Sequence, residues 1–194
     1  MIHYYHQYIP NGRETLSELI TQKHMDIFEP YLDYIYVNYL EEGQPGFEMS
    51  TLKLMQSDLG NYADDELIFY AHTKGVSRPD NEQTFTTHWR ESMQDICLRL
   101  IQSGHKPKTA VGGFLLQSNH FKTLVPEFGD YDFFGGNFWI ARVGFLKTLP
   151  EVDLTADRFF AERWIGMTHA ELESPNPNDW PNYAAFYRAS KLII

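Results

Sequence analysis

Leu67-Ile68-Phe69-Tyr70-Ala71-His72-Thr73-Lys74-Gly75 runs from an apolar, β-prone segment into three polar residues and a glycine. In an open α/β sheet, ligands bind in the crevice at the carboxyl ends of the strands, so His72, Thr73 and Lys74 stand where binding chemistry is expected. Taken singly, His72 reads as well as a hydrogen-bonded structural residue, and Lys74 as a solvated lysine at a strand end. Together, an imidazole, a hydroxyl, an ammonium and the flexible Gly75 in four consecutive positions suit a phosphate-rich ligand.

Upstream, residues 2–9 form a β-prone run that Pro10-Asn11-Gly12 stops. A helix is expected over 14–25, with Leu16, Leu19, Ile20 and the stem of Lys23 on its buried face. A second strand is expected over 34–40, a third over Thr51-Leu52-Lys53-Leu54-Met55, and a polar loop over 58–65. Downstream, 76–87 reads as an irregular polar loop able to close over a ligand, or as a plain solvated connection. The pattern of Trp89, Met93, Ile96, Cys97, Leu100 and Ile101 predicts a helix over 88–101 ended by Ser103-Gly104, with Cys97 a small core residue and not a nucleophile.

Ala110 to Leu116 is a short apolar strand, and Gly135-Gly136 precede a strongly β-prone run through Arg142, which allows a ligand or another backbone close approach. Helices are expected over 143–148 and 155–166, the latter carrying Phe159, Phe160, Trp164 and Ile165 inward, with a last short helix over 183–192 after a Pro/Asn-rich stretch. The alternation of strand and helix patterns predicts an α/β fold, a mostly parallel sheet sandwiched by helices.

The 194 residues suit one domain with a sizeable core. Aromatic residues make up 15% of the chain, a mild excess that favours a ligand with ring-shaped parts. The formal net charge of −10 argues against nucleic acid or anionic lipid as partners. The single cysteine rules out an intramolecular disulfide, and no apolar run of about 18 residues predicts a membrane span. A soluble, cytoplasmic location is the expectation; oligomeric state leaves no signal. Neither common glycine-rich phosphate loop is present.

Three segments carry a resemblance: Tyr70-Ala71-His72-Thr73-Lys74-Gly75, Gly136-Asn137-Phe138-Trp139, and Arg158, Glu162, Trp164 and Ile165 spaced as Arg-x-x-x-Glu-x-Trp-Ile. In order and context they resemble a small group of GT-A-type glycosyltransferases of bacteria and large DNA viruses, including virus-encoded domains for capsid glycosylation. The resemblance implies a GT-A-like single domain with a central mixed, mostly parallel sheet flanked by helices on both faces, a UDP-sugar donor, and a glycan or glycoprotein acceptor. It implies Mn²⁺ or Mg²⁺ bridging the donor diphosphate. It makes Tyr4, Tyr5, His6 and the Ile9-Pro10-Asn11 turn candidates for contact with uracil. Arg78, Asp80, Arg158, Gly75, Gly135 and Gly136 join the donor-binding set, and Trp139 and Trp164 could pack on a sugar face.

One departure stands out: His72-Thr73-Lys74 takes the place where the family carries Asp-x-Asp. His72 could supply a metal nitrogen, Lys74 could replace the metal's charge, or carboxylates could supply oxygens from Asp80 or from Asp130 and Asp132, with His169 a late ligand. Glu162, on a mostly apolar helix, is the best single candidate for a catalytic carboxylate, unless it simply pairs with Arg158 one turn earlier. Asn137 is the candidate for holding sugar hydroxyls. Transfer with inversion needs a base on the protein, whereas retention can use the donor phosphate. The missing Asp-x-Asp keeps a second expectation open, a non-catalytic nucleotide- or carbohydrate-binding module.

Overall fold

The computed structural model describes residues 1–118, 130–157 and 159–175. The fold is α/β, with a mixed and mostly parallel six-stranded sheet. Its strands are β1 (Ile2–Ile9), β2 (Tyr34–Glu41), β3 (Leu67–His72), β4 (Ala110–Gly112), β7 (Trp139–Arg142) and β8 (Leu172–Glu173), ordered β2-β1-β3-β7-β4-β8. Only β7 runs against the rest. Strands β5 (Leu115–Leu116) and β6 (Phe133–Phe134) form a separate antiparallel pair. The expected strand over 110–116 is therefore two strands in two sheets, because Gly112, Gly113 and Phe114, with φ 54°, turn the chain between them.

The strands are accompanied by α1 (Glu14–Phe28), α2 (Phe47–Asp58), α3 (Asp80–Gln102), α4 (Val143–Leu146) and α5 (Phe160–Trp164). One face of the sheet, with Tyr4, Ile68, Tyr70, Trp139 and Ala141, packs on Met49, Leu52 and Met55 of α2 and on Phe160, Ala161 and Trp164 of α5. The other face, with Tyr5, Phe69, Ala71 and Ile140, packs on Phe28 of α1 and on Met93, Ile96, Cys97 and Leu100 of α3. Cys97 is fully buried, which pushes its thiol pKa upward, so its reading as a core residue holds.

Several expected elements change. Residues 51–55 lie inside α2, not in a strand: Met49, Leu52, Met55 and Leu59 recur at helical spacing against the sheet. The loop expected over 76–87 is loop only to Pro79, and α3 begins at Asp80 with Asp80 and Glu82 in its first turn, where they complement the helix dipole. The expected helix over 155–166 is reduced to α5; ahead of it Asp157 accepts from the Phe159 N–H at 2.9 Å and pairs with Arg163. The last expected helix, over 183–192, lies outside the described residues. On α1 the buried face is Ser17, Ile20, His24 and Phe28; Leu19 is exposed and Lys23 pairs with Glu91 at 2.7 Å.

His24 belongs to that face because it finds a partner across the layer. The Phe69 carbonyl can only accept, so His3 Nδ1 donates to it at 2.9 Å. His3 Nε2 then accepts from His24 Nε2 at 3.0 Å, and His24 Nδ1 accepts from the Gln94 amide at 3.0 Å. The chain is satisfied with both rings neutral. Burial pushes the His3 pKa down to about 4, and that of His6 on the opposite face also to about 4.

An acid transition follows. Below pH 6.5 the unfolded chain takes up protons that folded His3 and His6 refuse until about pH 4, so the unfolded state binds more protons and stability falls with falling pH. The loss begins near pH 6.5 and reaches about 3 kcal/mol for each histidine by pH 4. Urea unfolding at pH 7 and pH 4.5 measures it, and equal midpoints would contradict the neutral imidazole chain.

Candidate functional site

Strand order reverses between β1 and β3: the chain leaves β1 through α1 to β2 on one side, then returns through α2 to β3 on the other. The carboxyl ends of β1 and β3 are therefore the switch point of the sheet, the usual ligand position of an open α/β fold. The ladder extends one residue beyond β3, with Thr73 N–H donating to the His6 carbonyl at 3.0 Å. The Thr73 hydroxyl accepts from Tyr8 N–H at 2.9 Å, so it is part of the strand junction. Gly75 has φ 80°, and a Cβ there would lie 2.5 Å from Thr86, so the turn out of β3 requires glycine.

At this edge the structure assembles a polar cluster from five segments. Lys74 Nζ lies 3.1 Å from Glu162 Oε1 and 4.8 Å from the centre of the Trp89 ring, and its carbonyl accepts from Arg90 at 2.7 Å. His72 Nε2 donates to the Gly136 carbonyl at 2.8 Å, while its Nδ1 lies 3.2 Å from Glu48 Oε1. Glu48 Oε2 accepts from Asn137 Nδ2 at 2.8 Å and from the Tyr70 hydroxyl at 3.4 Å. Lys74, Glu48 and Glu162 keep 16–19% of their side-chain surface exposed and His72 8%, so the cluster reaches solvent. Burial and then the Lys74 charge push the His72 pKa down to about 3.

Asn137 holds the centre. Its backbone is left-handed, φ 58°, a conformation that asparagine tolerates, and it follows Gly136 at φ 95°. The Trp139 indole N–H donates to Asn137 Oδ1 at 2.8 Å, which turns Nδ2 toward Glu48 and toward the Ala161 carbonyl at 3.3 Å. Glu48 was not among the residues singled out from sequence. It occupies the first turn of α2, and the helical recurrence of Met49, Leu52 and Met55 is the signal that would have placed it there.

Other expected site residues go elsewhere. Tyr4, Tyr5 and His6 are fully or almost fully buried, with the Tyr4 hydroxyl on Asp58 at 2.8 Å and His6 Nδ1 on the Thr51 hydroxyl at 2.8 Å, so as folded they present no surface to a base. Trp139 is buried against Tyr70, and Trp164 is buried with its N–H on the Pro150 carbonyl, so neither offers a face to a sugar. Gly135 N–H is held by the Phe114 carbonyl. Arg78 and Asp80 lie on the rim, Arg78 beside Glu82 at 3.5 Å and Asp80 bound to Arg13 at 2.9 Å. Arg158 lies outside the described residues; the partner of Glu162 seen here is Lys74.

The expected metal ligands do not converge. Asp132 accepts from Ser118 N–H at 2.8 Å, His169 stacks on Tyr131, and Asp130 is exposed. Among the described residues no group of three or more His, Cys, Asp or Glu side chains is placed to hold a metal ion. At His72 only one carboxylate, Glu48, faces the ring, which falls short of a coordination set. No helix among the described residues is long and apolar enough to cross a membrane. Compared with known proteins, the chain matches no family model, no curated protein and no solved structure.

Asn137→Ala will leave the Trp139 N–H buried without its acceptor and put alanine in a left-handed conformation, and should cost about 2–4 kcal/mol in chemical denaturation. Asn137→Gly, which removes only the second penalty, should cost about 1 kcal/mol less.

Proposed function

We propose that the chain is a glycosyltransferase that moves a sugar from a UDP-sugar to a hydroxyl of a glycan or glycoprotein acceptor. One observation carries this reading: Lys74, Glu162, His72, Glu48 and Asn137 meet at the carboxyl ends of β1 and β3, where the strand order reverses. Glycosyl transfer breaks the bond between the anomeric carbon and the β-phosphate oxygen, and the electron pair leaves with UDP. The charge that develops on the diphosphate has to be met by a fixed cation. Lys74, paired with Glu162 at 3.1 Å, would supply that cation when the diphosphate competes for it.

Asn11 of the Ile9-Pro10-Asn11 turn and Ser77, Arg78 and Pro79 of the loop after β3 are exposed beyond this end of the sheet and would meet the nucleotide in place of the buried Tyr4 and Tyr5. Asn137 acts on the sugar only through Glu48, because its own amide is committed within the protein. No step here runs through Mn²⁺ or Mg²⁺, for which the described residues assemble no donor set. The internal pairing of Lys74 with Glu162 also favours a second reading, a nucleotide- or carbohydrate-binding module without catalysis.

Calorimetric titration with UDP, GDP and CMP, in Mn²⁺ and in EDTA, tests the proposal. UDP should bind most tightly, and Lys74→Ala should weaken it at least about tenfold, as expected for loss of a charge-assisted contact. Absence of nucleotide binding under every condition would sink the proposal. UDP binding without sugar transfer from any UDP-sugar to oligosaccharide acceptors would leave the binding module.

A further inference from the structure

We infer that Phe47, with Tyr8 beside it, is the platform on which a neutral sugar ring of the acceptor packs. The inference rests on the transfer reading above and adds to it where the acceptor lies.

Phe47 is placed at two costs. It opens α2 in a left-handed backbone conformation, φ 40°, directly after Gly46 at φ 102°. A bulky side chain is strained there, whereas glycine is not. Its ring is also 50% exposed and, among the described residues, is packed into neither apolar cluster of the core. Strain of this kind persists only where the surroundings hold it, and it gathers at ligand sites. Here they do hold it. The Gly46 carbonyl accepts from Ser50 N–H at 3.3 Å, the Phe47 carbonyl accepts from the Ser50 hydroxyl at 2.9 Å, and Asn38 Nδ2 donates to that hydroxyl at 3.0 Å.

The ring beside it is Tyr8, with centroids 6.4 Å apart and planes inclined at 50°, so neither ring covers the other. Tyr8 is fixed through its backbone, its N–H on the Thr73 hydroxyl at 2.9 Å and its carbonyl on the Ser17 hydroxyl at 2.7 Å. Its own hydroxyl has no hydrogen-bond partner among the described residues. The result is a rigid apolar surface with one free hydroxyl at its margin.

Its place in the fold separates it from the nucleotide. Tyr4, His6 and Tyr8 alternate onto the α2 side of the sheet, where His6 bonds Thr51 of α2. Asn11, Ser77, Arg78 and Pro79, the residues given to the nucleotide, lie at the starts of α1 and α3, which Arg13 and Asp80 tie together at 2.9 Å on the other side. Between the two sides stand Lys74 and, next to Phe47 in the chain, Glu48. A donor lying over α1 and α3 with its diphosphate on Lys74 presents its sugar toward Glu48, and the next ring beyond it meets Phe47 and Tyr8.

The chemistry of the platform selects a sugar over a second nucleotide. A pyranose offers a flat face of C–H bonds to an aromatic ring and an edge of hydroxyl donors. Carboxylates border the rings on both sides. Glu42, held by the Ile9 carbonyl and the Asn11 N–H, is close enough for its charge to act on the Tyr8 phenol, and Glu48 follows Phe47. They accept from hydroxyls and repel phosphate.

Saturation-transfer NMR with maltotriose, cellotriose, mannotriose and chitotriose, each in the presence of UDP, tests the inference. At least one should bind wild type, with its ring C–H protons receiving the transfer. Phe47→Gly should weaken that trisaccharide at least about tenfold, the scale of one buried phenyl ring, and leave UDP affinity within about twofold. Because glycine relieves the left-handed strain, its urea midpoint should be unchanged or higher, and Phe47→Trp, which keeps a ring, should retain the trisaccharide. Unaltered trisaccharide binding in Phe47→Gly or a lowered urea midpoint would each overturn the inference. So would weakened UDP, which makes the base the occupant, or a wild-type dimer that Phe47→Gly dissociates in sedimentation, which makes it a second copy. Wild type that binds UDP but none of the trisaccharides overturns this inference alone; wild type that binds no UDP overturns the transfer reading, and the acceptor role of Phe47 with it.

Discussion

The site depends on where β3 lies, between β1 on one side and the antiparallel β7 on the other. Ile68 to His72 are buried, which is possible because α2 and α5 cover one face of β3 and α1 and α3 the other. The jump past β1 that brings β3 to this position is what makes the carboxyl ends of this pair the switch point of the sheet. The same pairing sets His72 opposite His6 and Tyr70 opposite Trp139. The aromatic stack of Tyr70 on Trp139 then brings the Trp139 N–H to Asn137, so core packing and the orientation of the polar cluster are one event.

Each face of the sheet buries polar groups, and the two do it differently. Under α1 and α3, His3, His24 and Gln94 form a hydrogen-bonded line in which each imidazole donates once and accepts once. Under α2, the line from Trp139 through Asn137 ends at the Glu48 carboxylate, which lies 3.2 Å from His72 Nδ1. A closed line of neutral groups adds specificity to a core, whereas a line that ends at a carboxylate brings a charge to its end. The closed line is inside the protein, and the other reaches solvent.

Local pattern carried the layers of the fold, and long-range partnership was beyond it. The strands 2–9, 34–40 and 67–72, the apolar core of α3 and the alternation that makes the sheet mostly parallel were legible from periodicity. Residues 51–55 were not, because Thr51-Leu52-Lys53-Leu54-Met55 alternates over so few positions that it fits a strand as well as a helix; the helix appears only when Met49 and Leu59 are included. The first turns of α3 look like loop because they are polar and none of their residues before Thr86 is buried. At the site, His72 and Lys74 were legible because they end a buried strand. Of their partners, Glu162 was marked by the apolar helix around it, though its pairing with Lys74 was not foreseeable; Glu48 was missed, because it comes from a distant segment whose helical pattern is short. Tyr4 and Tyr5 were given to a ligand although their place on a central strand, with helices over both faces, makes them core.

Cys97 gives the chain a built-in clock. It is the single sulfhydryl of the sequence, and it lies in the seam where α3 meets the sheet, sealed from water. A thiol reagent can reach it only when that seam parts, and the buried thiol's raised pKa makes it unreactive in the meantime. The pace of its alkylation in native buffer is therefore the pace at which the α3 layer lifts, a count of opening events taken without denaturant and without an engineered label.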